Sequence, residues 1–306
     1  QHLNFNYTLN NGIQVGNQYS NTFRGAFATS PLSPVYSDNN LFDSPFNDTQ
    51  HSPWYNGDGN PYAEMMTNSN NRNNGQRLMG DIYAELEPVR RLKLKSVFGI
   101  NYYASEYRSF TPLYQFSVYA YNTDHTTISQ NTSKGHNLLW TNTATYDLSI
   151  GDHSVNAMIG MEAQRFQGTY LSGSNWNLLS QFNDFSHAYL SNTTGKAHVD
   201  DNGNIVETRE VGGKPENQYR RLSYFGRIGY NYQEKYLFNA TLRRDGSSKF
   251  AEGYRWGWFP SFSAGWVLSA ENFMSPSAGW LSFLKLRASW GQVGNQDIDD
   301  FQFTAP

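Results

Sequence analysis

Apolar and polar residues alternate with a period of two along nine separate stretches of the chain. Near the start, Leu3, Phe5, Tyr7 and Leu9 alternate with Asn4, Asn6 and Thr8. Residues 78–87 and 92–102 follow, the second setting Leu92, Leu94, Phe98, Ile100 and Tyr102 against Lys93, Lys95, Gly99 and Asn101. The clearest run is 138–150, where Leu138, Trp140, Ala144, Tyr146 and Leu148 oppose Thr141, Thr143, Thr145 and Asp147. Later runs lie at 155–163, 222–232, 236–242, 262–268 and 284–290. Successive strand side chains point to opposite faces, so each run predicts a strand with one greasy face and one small or polar face. Lipid on one side and water on the other of a single wall select that pattern.

The lengths of the connections carry a second signal. Residues 11–76, 104–135 and 170–219 are long, polar and rich in Asn, Ser, Gly and Tyr; 87–90, 151–152 and 233–235 are tight. The two kinds take turns. Residues 245–258 are then intermediate in length, and 270–282 is the one turn longer than its class. In an up-and-down antiparallel wall, alternate connections share a rim, so one rim carries the loops and the other the turns. Long outer loops over short periplasmic turns characterise outer-membrane barrels. The predicted fold is therefore all-β: a transmembrane antiparallel up-and-down β-barrel, seen in part as about nine strands. An open edge leaves backbone groups unpaired in lipid, so the reading expects further strands, with residues 1–306 as the middle of a barrel domain. A soluble β-sandwich or propeller is the alternative that alternation alone permits.

Composition narrows the picture. Of 306 residues, 38% are hydrophobic, and no apolar run approaches the ~18 residues of a spanning helix. Aromatics reach 16%, led by 21 Tyr and 20 Phe, as expected where only every second strand residue must be apolar. A net charge of −3 gives no electrostatic footprint for nucleic acid. The absence of cysteine removes disulfides, thiolate metal sites and a cysteine nucleophile.

Three late segments are the most distinctive: RRDGSSKF at 243–250, GWFPSFSAGWVLSAENF at 257–273 and LKLRASWGQVGNQDI at 284–298. In type and order they resemble the SusC/RagA family of TonB-linked outer-membrane importers. The resemblance implies a barrel of about 22 strands, an N-terminal plug and a TonB contact segment, neither visible in this sequence. It also implies a SusD-like surface lipoprotein as partner, contact with the TonB complex through an N-terminal part, and import of an oligosaccharide or oligopeptide. A passive porin, or a glycan-binding or adhesin-type barrel without energy coupling, is the functional alternative. Within these segments Asp245-Gly246-Ser247-Ser248 reads as a turn, Pro260 as the first residue of a strand, and Ser269 as the cap of a short helix.

Candidate residues fall into three groups. Lys93, Asp147, Arg227, Arg243, Lys285 and Arg287 lie on the polar stripe and are expected to face the lumen. Trp140, Phe166, Trp256, Trp258, Phe262 and Trp290 are expected near the outer strand ends, with Tyr146, Tyr230, Tyr232 and Tyr236 near the turns, as two interfacial girdles; Trp256 and Trp258 also suit a sugar-stacking platform. The loop residues Trp54, Tyr55, Asp58, Tyr114, Tyr119, Tyr121 and Trp176 are the candidates for substrate, because lipid does not account for them. Flat rings among amides and carboxylates suit glycan recognition; packing of loops on one another or on the lipoprotein is the other reading, and peptide could use the same surface. Two Asn/Asp/Gly runs, at 56–60 and 200–204, look calcium-like but lack the terminal bidentate Glu of the twelve-residue loop. Asn202-Gly203 reads instead as a hairpin turn. The seven His are scattered, and no nucleophile elbow, phosphate loop or dinucleotide fingerprint occurs. The reading assigns no catalytic residue, cofactor or metal, and expects a non-enzyme in the cell outer membrane.

Overall fold

The computed structural model describes residues 2–12, 22–36, 46, 60–116, 121–199, 202–277 and 279–298. Nine strands form one antiparallel sheet in which every strand pairs with its neighbours in sequence order. They are β1 (His2–Asn10), β2 (Asn71–Val89), β3 (Leu92–Thr111), β6 (Thr127–Ile150), β7 (His153–Trp176), β10 (Glu210–Tyr232), β11 (Tyr236–Ser247), β12 (Trp256–Val267) and β13 (Lys285–Gly291). Two short hairpins sit in the loops: β4 (Tyr114–Gln115) with β5 (Tyr121–Asn122), and β8 (Lys196–Val199) with β9 (Ile205–Thr208). Helices α1 (Thr22–Ala28) and α2 (Pro61–Asn68) lie between β1 and β2. The Asn60 side chain caps α2 by accepting from the backbone N–H of Tyr62 and Ala63, and Pro61 takes the first helical position, where no donor is needed.

The meander and its alternating loops and turns match the pattern read from the sequence. The strands are longer than expected. β6 and β7 have 24 residues each, and β3, β6, β7 and β10 reach well into the stretches read as loops. A bilayer needs only about 9–11 residues of a tilted strand. Beyond that band the backbone ladder continues while the apolar requirement lapses, so the hydrophobic signal ends before the strand does.

One parity of side chains carries the greasy, exposed residues of every strand in the band. Ile82, Leu86, Phe98, Trp140, Ile159, Ile228, Leu242 and Leu286 share that face, and all are among the exposed large apolar residues. Above the band the same face turns polar, through His136, Lys134, Thr132 and Gln130. At its far end, beyond Thr132, residues 178–195 fold back onto it: Phe110, Ile128, Leu178 and Ala188 make a small buried core, flanked by Phe182, Phe185 and Leu190. The Gln130 side-chain oxygen anchors that loop by accepting from the backbone N–H of Leu190 at 2.9 Å.

Several local expectations change. Pro260 lies inside β12, paired with Leu242. It is tolerated because its carbonyl accepts from Gln292, just past the end of β13, so the missing N–H faces a strand end and not the β11 ladder. Pro88 sits in the irregularity between Leu86 and Val89, and the β2–β3 turn is Arg90-Arg91, with Arg91 at φ 75°. Ser269 is not a cap; it lies inside the turn of 3₁₀ helix Leu268–Ala270. Gly203, at φ 82°, takes the positive-φ position between β8 and β9, as the hairpin reading expected.

Candidate functional site

Two surfaces of the wall can meet something other than protein. On the polar face, the cross-strand row Glu162–Ser223–Asp245 brings together groups from β7, β10 and β11. One Glu162 carboxylate oxygen accepts from Arg221 Nη2 at 3.1 Å and from Arg243 Nη2 at 3.3 Å. Arg243 also donates from Nε to Asp245 at 2.7 Å and from Nη2 to the buried Ser223 hydroxyl at 2.9 Å. Charges alternate along the cluster, and all its members are partly buried. Arg221 Nε is buried without a hydrogen-bond partner. A pocket of about 630 Å³ opens beside the cluster, lined by Arg221, Arg243, Asp245, Tyr254, Phe259 and Asn295 among others. Such a pocket, which Arg255 also lines, offers three guanidiniums and an aromatic wall to a polar ligand.

Further along the same face, Tyr103, Phe166 and Tyr219 form an aromatic ladder, with ring centroids 6.2 Å and 5.5 Å apart. Glycine makes room for it: a Cβ on Gly135 would come within 2.8 Å of the Tyr103 ring. Glu216 lies next to it, accepting from Ser133 at 2.8 Å. Phe166 was expected in the outer girdle; it belongs to the opposite face, because Ala163 and Arg165 hold the apolar parity on β7. This ladder and the Arg221–Glu162 contacts were missed in the sequence. The available signal was parity, carried forward from Lys93 and Lys95 through Tyr103.

At the turn rim, the apolar face carries the expected girdle. His153 packs on Tyr230 and Tyr232, Tyr232 stacks on Tyr236, and Tyr236 stacks on Trp266. Glu271, from the long β12–β13 connection, accepts from the Tyr236 hydroxyl at 2.6 Å and from Trp266 Nε1 at 3.0 Å. These bonds, the Tyr236 one foremost, hold its carboxyl below the usual range. The length of this turn therefore serves to bring a carboxylate back onto the aromatic rings.

Three of the loop candidates are described: Tyr114 and Tyr121 lie on the two strands of the β4–β5 hairpin, and Trp176 is the last residue of β7. Trp54, Tyr55, Asp58 and Tyr119 lie outside the described residues, as do 56–59 and 200–201 of the calcium-like runs. Tyr114 stacks on Phe116 at 4.7 Å, and burial, aided by the nearby Glu64 charge, pushes its hydroxyl pKa up. Trp176 stacks on His125 at 3.8 Å, with Lys196 Nζ 5.6 Å from its ring. Tyr121 remains largely exposed. Loop packing thus occupies a face of Tyr114 and of Trp176. In the folded-back loop, Asp184 is held at about 2 by hydrogen bonds from Ser186 and His187, and the Arg108 guanidinium lies 4.3 Å from the Phe185 ring and 4.1 Å from that of Tyr189. Among the described residues no group of three or more His, Cys, Asp or Glu is placed to hold a metal ion.

Of the polar-stripe residues, Arg243 is in the charged cluster. Asp147 accepts from Asn156 at 2.6 Å, and Arg227 donates to Asn239 at 3.3 Å. Lys93 pairs in register with Thr145, Lys285 with Val267 and Arg287 with Gly265, all on the face opposite the apolar stripe.

No family model matches the chain. Individual proteins do. The TonB-dependent receptor SusC of Bacteroides thetaiotaomicron is 30% identical over 328 residues, covering 99% of this chain and 29% of that protein. TonB-dependent receptor P26 of Formosa agariphila is 29% identical over 304 residues, covering 96% of this chain and 28% of that protein. The chain thus spans under a third of the length of these relatives. The RagAB peptide importer in its open-open state superposes with a TM-score of 0.63 at 23% identity, over 76% of this chain and 23% of that one. The motifs, the apolar-outward meander and these relatives agree: the chain belongs to the SusC/RagA-like TonB-dependent receptors, as a stretch of the wall of an outer-membrane β-barrel.

Proposed function

We propose that residues 1–306 are the middle portion of the barrel wall of a TonB-coupled nutrient importer. In this reading the polar face lines the lumen, with Lys93, Asp147, Arg227, Arg243, Lys285 and Arg287 meeting water, the plug or passing substrate. The plug, the TonB contact segment and the C-terminal strands belong to other parts of the receptor. A SusD-like surface lipoprotein works with the outer loops, and the cargo is an oligosaccharide or oligopeptide. Trp54, Tyr55, Asp58, Tyr114, Tyr119, Tyr121 and Trp176 are the loop residues proposed to touch it. The role is transport and not catalysis.

The observation that supports this most is the division of the faces. A continuous exposed apolar band on one parity backs a charged, pocketed face on the other. A wall between lipid and a transport path needs both. The test is uptake by cells carrying the full receptor, with TonB present or deleted. Uptake of oligosaccharide or oligopeptide that is lost without TonB is expected. Uptake that persists unchanged without TonB would instead make the barrel a passive channel.

A further inference from the structure

Past the end of β13 the chain leaves the sheet and turns inward across its polar face. The Gln292 N–H donates to the Pro260 carbonyl at 3.0 Å, Gly294 lies against the Phe259 ring, and the Ile298 carbonyl accepts from Lys249 Nζ at 2.7 Å. Phe259 stands on the polar parity of β12, opposite Arg243, so residues 292–298 run as a strap from β12 towards the β11–β12 loop. A Cβ on Gly294 would overlap the Phe259 ring, so glycine is what lets the strap lie this close. The strap supplies one wall of the pocket of about 630 Å³ beside the charged cluster, through Gln292, Asn295 and Gln296. The β11–β12 loop supplies another, through Tyr254 and Arg255, and the paired strands make the floor.

The charges around this pocket do not balance. Glu162 is shared by Arg221 and Arg243, and Asp245 is bonded to Arg243. The third guanidinium, that of Arg255, has no carboxylate within ion-pair distance among the described residues; its Nε donates to the Phe250 carbonyl at 3.2 Å. Three arginines against two carboxylates leave one positive charge over. Arg255 stands on the cross-strand row of Arg221 and Ser247, where the Ser247 N–H donates to its carbonyl at 3.0 Å. Arg221 and Arg243 keep part of their side chains exposed, and Arg255 is exposed. The forked donors of a guanidinium fit a carboxylate. Tyr254, 82% exposed, offers an open ring face beside them.

We propose that this pocket binds an acidic sugar residue of the cargo, its carboxylate on Arg255 and its ring against Tyr254. On the importer reading, on which this rests, the cargo is then a carboxylated oligosaccharide. The uncompensated charge calls for one anion. The rest of the lining calls for a ring bearing hydroxyls: Gln292 and Gln296 bring amides, and Thr241 and Ser261 bring hydroxyls, each able to donate and to accept. A peptide is gripped through its backbone by an unpaired strand edge; β10, β11 and β12 are paired on both sides and offer none. The Ser247–Arg255 bond marks the loop-side ends of β11 and β12, the side from which cargo arrives.

The test uses the full receptor in detergent, with three probes measured by titration calorimetry: trigalacturonate, its methyl ester and triglutamate. Wild type is expected to bind trigalacturonate more tightly than the ester, which has the rings without the charge, and than triglutamate, which has the charge without the rings. Arg255→Gln should weaken trigalacturonate roughly tenfold, the scale of one charge-assisted hydrogen bond, and leave the ester unchanged. Tyr254→Ala should weaken both sugars. Both side chains are exposed, so both variants should fold, and an unchanged heat-shifted gel mobility checks this. Equal affinity for acid and ester, or for acid and triglutamate, would overturn the proposal. So would unchanged trigalacturonate binding in Arg255→Gln or, should that variant misfold, in Tyr254→Ala. Failure of the full receptor to bind trigalacturonate would overturn it too, an acid of the plug then answering the arginines. The importer reading fails separately, on uptake that ignores TonB.

Discussion

Glu162 serves two arginines with one oxygen, and that geometry sets the cost of losing it. Its side chain is 19% exposed, while those of Arg221 and Arg243 are 30% and 33% exposed. The pairs are thus neither surface bridges nor fully desolvated ones. Removing the carboxylate leaves two guanidiniums facing one another, with Asp245 alone to answer them. Glu162→Gln is expected to destabilise the barrel by about 1–2 kcal/mol, between the surface and buried extremes. The denaturant midpoint should fall at unchanged slope. A midpoint equal to that of wild type would mean that water already screens the cluster. At this scale the sequence was only partly legible. That Arg243 lies on the polar stripe follows from alternation with Leu242. That Glu162, some eighty residues away, completes its shell depends on the β7–β10–β11 register, which local pattern does not encode. Phe166 shows the same limit, because residue type suggested a girdle while parity placed it inward.

At the scale of single elements, the alternation located every strand of the sheet but stopped short of the loop-side ends. The reason is physical. Lipid imposes the greasy parity, and lipid covers only part of β6. From Trp140 to Ile150 the outward positions are mostly large and apolar; from Gln130 to His136 they are polar, although the ladder to β3 and β7 is unbroken. This predicts a sharp boundary that labelling can find. Because the chain has no cysteine, single cysteines introduced at Thr132 and at Ala144 report two heights on one face of one strand. On intact cells a membrane-impermeant maleimide should label Thr132→Cys and leave Ala144→Cys unlabelled. Equal labelling of the two would place the lipid boundary elsewhere and remove the reason given for the misread strand ends. The hairpin at Gly203 needed no such help, since Asn-Gly between short β runs carries its own backbone preference.

On the scale of the whole molecule, the sheet has no enclosed core to hold it together. Its largest apolar residues point outward, and among the described residues the buried apolar ones are few: a small cluster beneath the folded-back loop, with Ala63, Phe116 and Val267 apart from it. Stability must then come from the ladder, from cross-strand pairs and from lipid on the greasy face. Of these, the ladder is satisfied only on a closed cylinder. Among the described strands, β1 and β13 are the sheet's edges, each paired on one side. An edge strand in hydrocarbon leaves every second pair of backbone groups without partners, at several kcal/mol per group. Residues 1–306 expressed alone should therefore fail to insert as a stable barrel, although each local hairpin is well specified. Refolded into detergent, they are expected to run at the same position on a gel whether heated or not. The full receptor should shift with heating, as a closed barrel resists the detergent until its ladder melts. A heat-shifted band from residues 1–306 alone would mean that β1 and β13 can pair with each other, and the nine strands would then be a barrel in their own right.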